Sequence, residues 1–307
     1  MSREGTSSIP IFVASDSGSQ HGMVVTVESA LDRASPDFRF EVHIGDAGLD
    51  PDVRKSMREE WSKHPKVGSL VFHDLSLDSF NGLFTKVRLR PATLARLQMP
   101  DLITNAPRAI YLDTDILVLG DLKELASLEF GDTAVAGVID NLPTLRDQGY
   151  DLDGLPFHVP PETPYINAGF LVANLDYWRR HDFWERGKVL LSEHSDKFSH
   201  FDQSVLNLLC AGKLHILPNR WNRQRQLVDE LPMALQKASL VHFIGPIKPW
   251  HFGYRPGCGT VAMWHEQLRK SKVKLPPLPP PSRSYRGPLL SLYLRKLSTV
   301  ARIKVRV

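Results

Sequence analysis

The 307-residue chain is 42% hydrophobic and 23% charged, which suits a globular body with ample core in one large or two ordinary domains. Its two cysteines, Cys210 and Cys258, exclude a disulfide framework and fit a reducing, cytoplasmic setting, although a bond between the two stays open. The polar N-terminus lacks a signal peptide's apolar run, and nothing approaches the ~20 apolar residues of a membrane span.

Ile9–Ala14 is an apolar run closed by Ser15-Asp16-Ser17-Gly18-Ser19, a strand and then a loop. Val24, Val25, Val27, Ala30 and Leu31 mark a helix ending near Pro36. Phe38–Ile44 alternates strictly and predicts a half-buried strand; a charged helix follows through Trp61, then a third strand over Ser69–His73. Strand, helix, strand, helix, strand spells a parallel, Rossmann-like half, yet the G-x-G-x-x-G fingerprint of dinucleotide enzymes is missing after strand one. Residues 91–103 predict one helix leading into Ala109–Leu112, a central strand that ends on Asp113 and Asp115 and resumes apolar at Ile116. Gly120–Leu125 reads as a turn and short helix, and Thr133–Ile139 as a buried strand ending on Asp140. Residues 141–164, rich in Pro, Gly and Asp, read as a long loop of the kind that forms lids and substrate sites. Tyr165–Val172 is a strand with a small-residue break, and one helix runs from Leu175 to about Ser192. A further helix opens at Asp202, and Ser239–Gly245 is the last clear strand.

Beyond a body over 1–270, residues 271–282 read as a Pro-rich extended linker. The tail, 283–307, holds seven basic residues and no acid. Without those seven the chain has 31 basic against 34 acidic residues, so the net +4 belongs to the tail and argues against a nucleic-acid-binding body. Leu290, Tyr293, Leu294, Leu297, Val300 and Ala301 recur at helical spacing there, a basic amphipathic segment suited to peripheral attachment at an anionic membrane. The plainer alternative is a helix packed back on the body.

Two carboxylates two residues apart at a strand end face one spot if the backbone stays extended, and they repel unless a cation, proton or ligand intervenes. Hard oxygen ligands suit Mg²⁺ or Mn²⁺. Asp16, Asp113, Asp115, Asp140 and His242 all fall at or after apolar strands, whose carboxyl ends share one ligand-binding rim in an open α/β sheet. His242 could complete the metal shell. Gly245 and Lys248 beyond it favour an anion site, because glycine lets backbone N–H groups approach a phosphate and lysine adds a mobile cation.

These motifs resemble those of the retaining glycosyltransferases of family 8, which includes bacterial lipopolysaccharide galactosyl- and glucosyltransferases and the glycogenins. The likeness is nearest to the bacterial lipooligosaccharide α-1,4-galactosyltransferases within it. Phe12–Asp16, Ala95-Arg96-Leu97, Tyr111–Asp115, Asn167-Ala168-Gly169, Asp202-Gln203 and His242–Trp250 carry the resemblance, which spans Ile11 to about His251. It implies a GT-A fold, a Rossmann-like, mostly parallel sheet flanked by helices. It also implies transfer of galactose or glucose from a UDP-sugar to a saccharide, a lipopolysaccharide or lipooligosaccharide core by expectation. On this likeness Asp113, Asp115 and His242 hold Mn²⁺ (Mg²⁺ being the alternative), and Ala14 and Asp16 contact uridine. Gly245 and Lys248 take the phosphates; Arg96, Asp140, Asn167, Asp202 and Gln203 hold the donor sugar, with Asp202 and Gln203 nearest the reaction. Plainer roles exist for three of them: an ion pair for Arg96, a strand-bulge bond for Asn167, a helix N-cap for Asp202. Two positions depart from the family. Ser204 stands where many relatives carry an acid, which weakens a covalent route and favours front-face attack, and Gly18 replaces an Asn of the uridine loop. A D-x-D phosphohydrolase lacks support, since Ile116-Leu117 is not the Gly-Thr type of pair that such enzymes carry after the acids. A nucleotide-sugar- or glycan-binding protein without turnover is the remaining alternative.

Overall fold

The structure is a computed structural model that describes residues 7–75, 91–150, 152–194, 197–198, 200–225, 238–246, 248–251 and 259–278. Ten strands are described: β1 (Ser7–Ser15), β2 (Phe38–Asp46), β3 (Val67–Asp74), β4 (Arg108–Leu112), β5 (Ile116–Val118), β6 (Val135–Thr144), β7 (Pro164–Asn174), β8 (Leu214–Ile216), β9 (Arg223–Arg225) and β10 (Leu240–Phe243). The helices are α1 (Gln20–Arg33), α2 (Pro51–Trp61), α3 (Pro91–Leu94), α4 (Met99–Leu102), α5 (Lys123–Ala126), α6 (Leu175–Arg180), α7 (Phe183–His194), α8 (Phe201–Leu209) and α9 (Gly259–Lys270).

Seven strands form one sheet in the order β3-β2-β1-β4-β7-β6-β8. All pairings are parallel except those of β7, which runs against both β4 and β6. The sheet is therefore mostly parallel, as expected, with one reversed strand. Alternation along β1 sorts its side chains to two cores: Ile11 and Val13 pack with Met23, Val24 and Val27 of α1, while Phe12 and Ala14 pack with Leu94, Leu97 and Val205 on the opposite face. Helices thus cover both faces. β2 is not half-buried: from Val42 to Asp46 every residue is buried, because β2 lies between β1 and β3 with core on each side.

Three strands leave the large sheet. β5, β10 and β9 form a second sheet, with β10 antiparallel to β5 and parallel to β9. Leu117, Val241, Phe243, Trp250 and the fully buried Trp264 of α9 form its core. The sequence places this last strand on the common rim; the structure corrects that, because β10 pairs with β5 and β9 instead of joining the large sheet.

Other boundaries also move. Residues 91–103 form no single helix: a 3-10 turn at Ala95–Gln98 separates α3 from α4, which carries Pro100 in its first turn. The expected helix from Leu175 breaks at Asp182, whose φ of 48° is left-handed, and restarts as α7. β6 runs on through Asp140 to Thr144, so the loop begins at Leu145, which is buried and bonded back to Thr163. Of the expected linker, Val273 is buried, Lys274 N–H donates to Ser56 Oγ (2.8 Å), and His21 Nε2 lies 2.8 Å from Pro276 O. Residues 271–278 thus lie along α1 and α2. The rest of that segment, the tail 283–307 and Cys258 fall outside the described residues. Cys210 is free and buried.

Candidate active site

The site starts where the chain changes sheets. Asp113 follows β4, Asp115 precedes β5, and Thr114 turns between them, so the acids do not converge through extended backbone. The turn is held from three sides. Asp113 N–H donates to Gly169 O (2.8 Å) and Phe243 N–H donates to Asp115 O (2.9 Å). On the third side Thr26 Oγ1, fully buried on α1, lies 2.8–3.2 Å from the carbonyl oxygens of Asp113, Thr114 and Ile116. α1 comes this close only because residue 22 is glycine: a Cβ there would stand 2.4 Å from Thr114 O.

Asp113, Asp115 and His242 each offer a ligand atom, and these lie within 4.8 Å of one another. His242, inside β10, places Nε2 3.1 Å from Asp115 Oδ1 and 3.9 Å from Asp113 Oδ2. The ring rests on Gly169, where a Cβ would come within 2.2 Å of His242 Cε1. Lys248 Nζ donates to Asp115 Oδ2 and to Phe243 O (2.9 Å). Burial works to raise the Asp115 carboxyl, but His242 and Lys248 outweigh it and hold the group below the usual carboxylate range. Asp115 Oδ1 is buried and faces the His242 ring nitrogen, with no other polar partner among the described residues. Two carboxylates and an imidazole around such an atom fit a hard or borderline divalent cation.

Behind Asp113 stands Arg96, buried in the 3-10 turn. Its guanidinium meets Asp113 Oδ1 (3.0 Å) and Asp202 Oδ2 (3.0 Å), donates to Ala168 O, and lies 4.5 Å from the centre of the Tyr111 ring. Tyr111 OH donates to the same Asp113 oxygen (2.6 Å). Burial works to lower the Arg96 pKa, but the surrounding acids raise it above its ordinary value, so this buried cation is compensated. Asp202, at the start of α8, is pushed up to about 6 by burial, against the opposing pull of Arg96. Asn167 Nδ2 donates to Asp140 Oδ2 (2.9 Å), and Ala168 N–H donates to Gln203 Oε1 (2.9 Å).

The reversal of β7 explains this assembly: Asn167 to Gly169, in its first half, reach the rim where β4 and β6 approach their carboxyl ends. Asp140 and His242 lie within strands rather than after them. Ala14 and Asp16 stand at the carboxyl end of β1, beside β4, with Asp16 Oδ1 accepting from Gly18 N–H (2.9 Å). Gly245 is exposed at φ +87°, a conformation that glycine adopts freely. Ser204 is fully buried and donates to Tyr150 OH (2.7 Å), which in turn lies 2.7 Å from Tyr165 OH. The departure at 204 therefore lies in the packing under the loop. Sequence reasoning missed Thr26, Gly22 and the fully buried Asn222 as parts of the site, since none sits in a spacing pattern that announces its role; Tyr111 lay within the quoted Tyr111–Asp115 motif but was given no role of its own.

The Asp-Asp-His cluster and its neighbouring lysine stand where the chain crosses from the large α/β sheet to the small one, and no G-x-G-x-x-G loop follows β1, so the site is a cation-holding one rather than that of a dinucleotide enzyme. The sequence matches Glycosyl transferase family 8 over residues 10–253, and the chain belongs to that family. It is 29% identical over 242 residues to the lipopolysaccharide 1,3-galactosyltransferase of Salmonella typhimurium, covering 75% of this chain and 69% of that protein. It is 26% identical over 256 residues to general stress protein A of Bacillus subtilis, covering 78% and 85%. It spans about half, 49%, of a Haemophilus influenzae relative, with 52% of this chain matched at 29% identity. Among solved structures, the galactosyltransferase LgtC superposes with a TM-score of 0.70 at 25% identity, covering 87% of this chain and 98% of that one. The fold is thus the GT-A fold of family 8.

Proposed function

We propose that this chain is a retaining hexosyltransferase that moves galactose or glucose from a UDP-sugar to a saccharide acceptor, with Mn²⁺ as the working cation. The observation that carries the reading is the cluster of Asp113, Asp115 and His242, whose ligand atoms lie within 4.8 Å of one another, with the buried Asp115 Oδ1 3.1 Å from His242 Nε2. Asp113, Asp115 and His242 would hold the cation, which when bound supplies positive charge to the departing diphosphate.

The chain's own groups do the rest. Lys248, now on Asp115, reaches the phosphates by exchanging one anion for another, and Gly245 leaves its backbone open to them. Asp140, Asn167, Asp202 and Arg96 line the donor-sugar side, while Ala14 and Asp16 take the uridine. Gln203 is a neutral amide whose oxygen already accepts from Ala168 N–H, which makes it a poor nucleophile and favours front-face attack. The leaving phosphate oxygen then takes the acceptor's proton. A trapped glycosyl–enzyme adduct would overturn that step. A phosphohydrolase with Asp113 as nucleophile is disfavoured, since Asp113 Oδ1 is tied to both Tyr111 and Arg96.

The acceptor we propose is a lipopolysaccharide or lipooligosaccharide core sugar, in keeping with the lipopolysaccharide-directed relatives. The basic 283–307 segment would hold the enzyme at the cytoplasmic face of an anionic membrane. Deleting it should weaken binding to anionic vesicles while leaving UDP release intact; unchanged vesicle binding refutes the attachment. The first test of the function is UDP release from a panel of UDP-sugars, with Mn²⁺ and with EDTA, on wild type and Asp115→Ala. Slow release from one donor, abolished by EDTA and by the substitution, is the expected result. Absence of UDP binding would overturn the reading.

A further inference from the structure

We infer that Asn222 is a positioning residue for the metal site: through an oriented chain of amides it fixes the tautomer of His242 so that Nε2 presents a lone pair to the cation. The inference rests on the metal reading above and deepens it. Asn222 lies between the 3-10 turn Asn219–Trp221 and β9, and is fully buried. Its Oδ1 lies 3.1 Å from His242 Nδ1, and its Nδ2 donates to Asn167 Oδ1 (2.9 Å).

An amide's nitrogen and oxygen are told apart by their hydrogen-bond partners. Here the backbone decides it. Gly169 N–H can only donate, and it meets Asn167 Oδ1 at 3.1 Å. That makes the atom an oxygen, so the other end of Asn167 is the NH₂, which donates to the carboxylate of Asp140 at 2.9 Å. The oxygen of Asn167 can in turn receive only the NH₂ of Asn222, which leaves Asn222 Oδ1 for the imidazole. An acceptor there requires the ring proton on Nδ1. In the neutral ring Nε2 then carries the lone pair, opposite Asp115 Oδ1. A ligating imidazole whose second nitrogen donates to a fixed oxygen is the arrangement that orients metal-bound histidines, and loss of the outer partner typically costs about 10- to 100-fold in metal affinity. The chain runs Asp140, Asn167, Asn222, His242, so one relay joins the donor-sugar side to the cation side.

The test uses the full chain, metal-free and ¹⁵N-histidine-labelled, at about pH 8.5, above the ordinary imidazole range. Long-range ¹H–¹⁵N correlation assigns His242 by its loss in His242→Gln, and Mn²⁺ affinity is measured separately by EPR of the free ion. Wild type should show the Nδ1–H tautomer. Asn222→Ala should lose that preference and bind Mn²⁺ about 10- to 100-fold more weakly. Asn222→Asp, which still accepts from Nδ1–H, should keep the tautomer. An Nε2–H wild type overturns the inference whether or not any variant folds. An Asn222→Ala protein with wild-type tautomer, Mn²⁺ affinity and melting temperature overturns it too. Failure of wild type to bind Mn²⁺ would instead sink the metal reading and leave the tautomer result standing.

Discussion

At the scale of single residues, the site depends as much on what is small as on what is charged. Gly169 supplies an N–H to Asn167, a carbonyl to Asp113 and a bare surface for the His242 ring. Gly169→Ala should push that ring aside, destabilise the protein by about 1–3 kcal/mol and weaken Mn²⁺ binding by about 10-fold or more; denaturant titration and EPR would check both. Asp202 sets a pH limit. Its folded pKa of about 6 means that the carboxylate, with its ion pair to Arg96, is lost as pH falls through 6 and regained above it. Donor kcat/KM should therefore drop about tenfold per pH unit below that point, read from a pH–rate profile. Part of this layer was legible from residue types at strand ends, which suggested grouping Asp113, Asp115 and His242, and these lie together; Arg96, Asn167, Asp202 and Gln203 entered only through the family resemblance, and their side chains bond in and around that cluster. Asn222 was not legible, because a buried asparagine between a 3-10 turn and a three-residue strand leaves no periodic trace.

At the scale of elements, β2 and β3 carry a second titrating feature. His43 Nδ1 and His73 Nε2 lie 2.9 Å apart with rings stacked at an interplanar 9°. Burial, helped by the charge of His73, pushes the His43 pKa down to about 4, and burial lowers His73 as well. In the unfolded chain both would take protons from about pH 6.5 downward, so unfolding binds protons in that window. The pair gives stability a downward slope as pH drops from 6.5 towards 4, worth on the order of 2–3 kcal/mol, against which proton uptake by folded Asp202 works in the opposite sense. His43→Gln should flatten that slope in urea titrations. Most strands were readable because each is an apolar run bounded by turn residues. Their directions were not: alternation is the same whichever way a strand runs, so the reversal of β7 left no signal. The transfer of β10 to a second sheet was equally hidden, since its partner β5 has three residues. The single helix expected over 91–103 failed at the 3-10 turn that buries Arg96, where tertiary contacts override local propensity.

At the scale of the whole molecule, a cation that binds the folded state alone should stabilise it in proportion to its occupancy. Mn²⁺ at 100 times its Kd should add about 2.7 kcal/mol and raise the melting temperature by several degrees. Asp115→Ala should abolish the shift, which differential scanning fluorimetry with and without EDTA would show. Among the described residues no helix is long and apolar enough to cross a membrane.

The turn at Thr114 is the narrowest covalent bridge between the two sheets, with β4 of the large sheet on one side and β5 of the small sheet on the other. The three cation-holding residues are split the same way, His242 and Asp115 belonging to the small sheet's side and Asp113 to the large one's. A bound ion would therefore cross-link the two sheets. Without it, β10 and β5 should exchange their amide protons through openings that leave the large sheet closed; with it, those openings should become as rare as global unfolding.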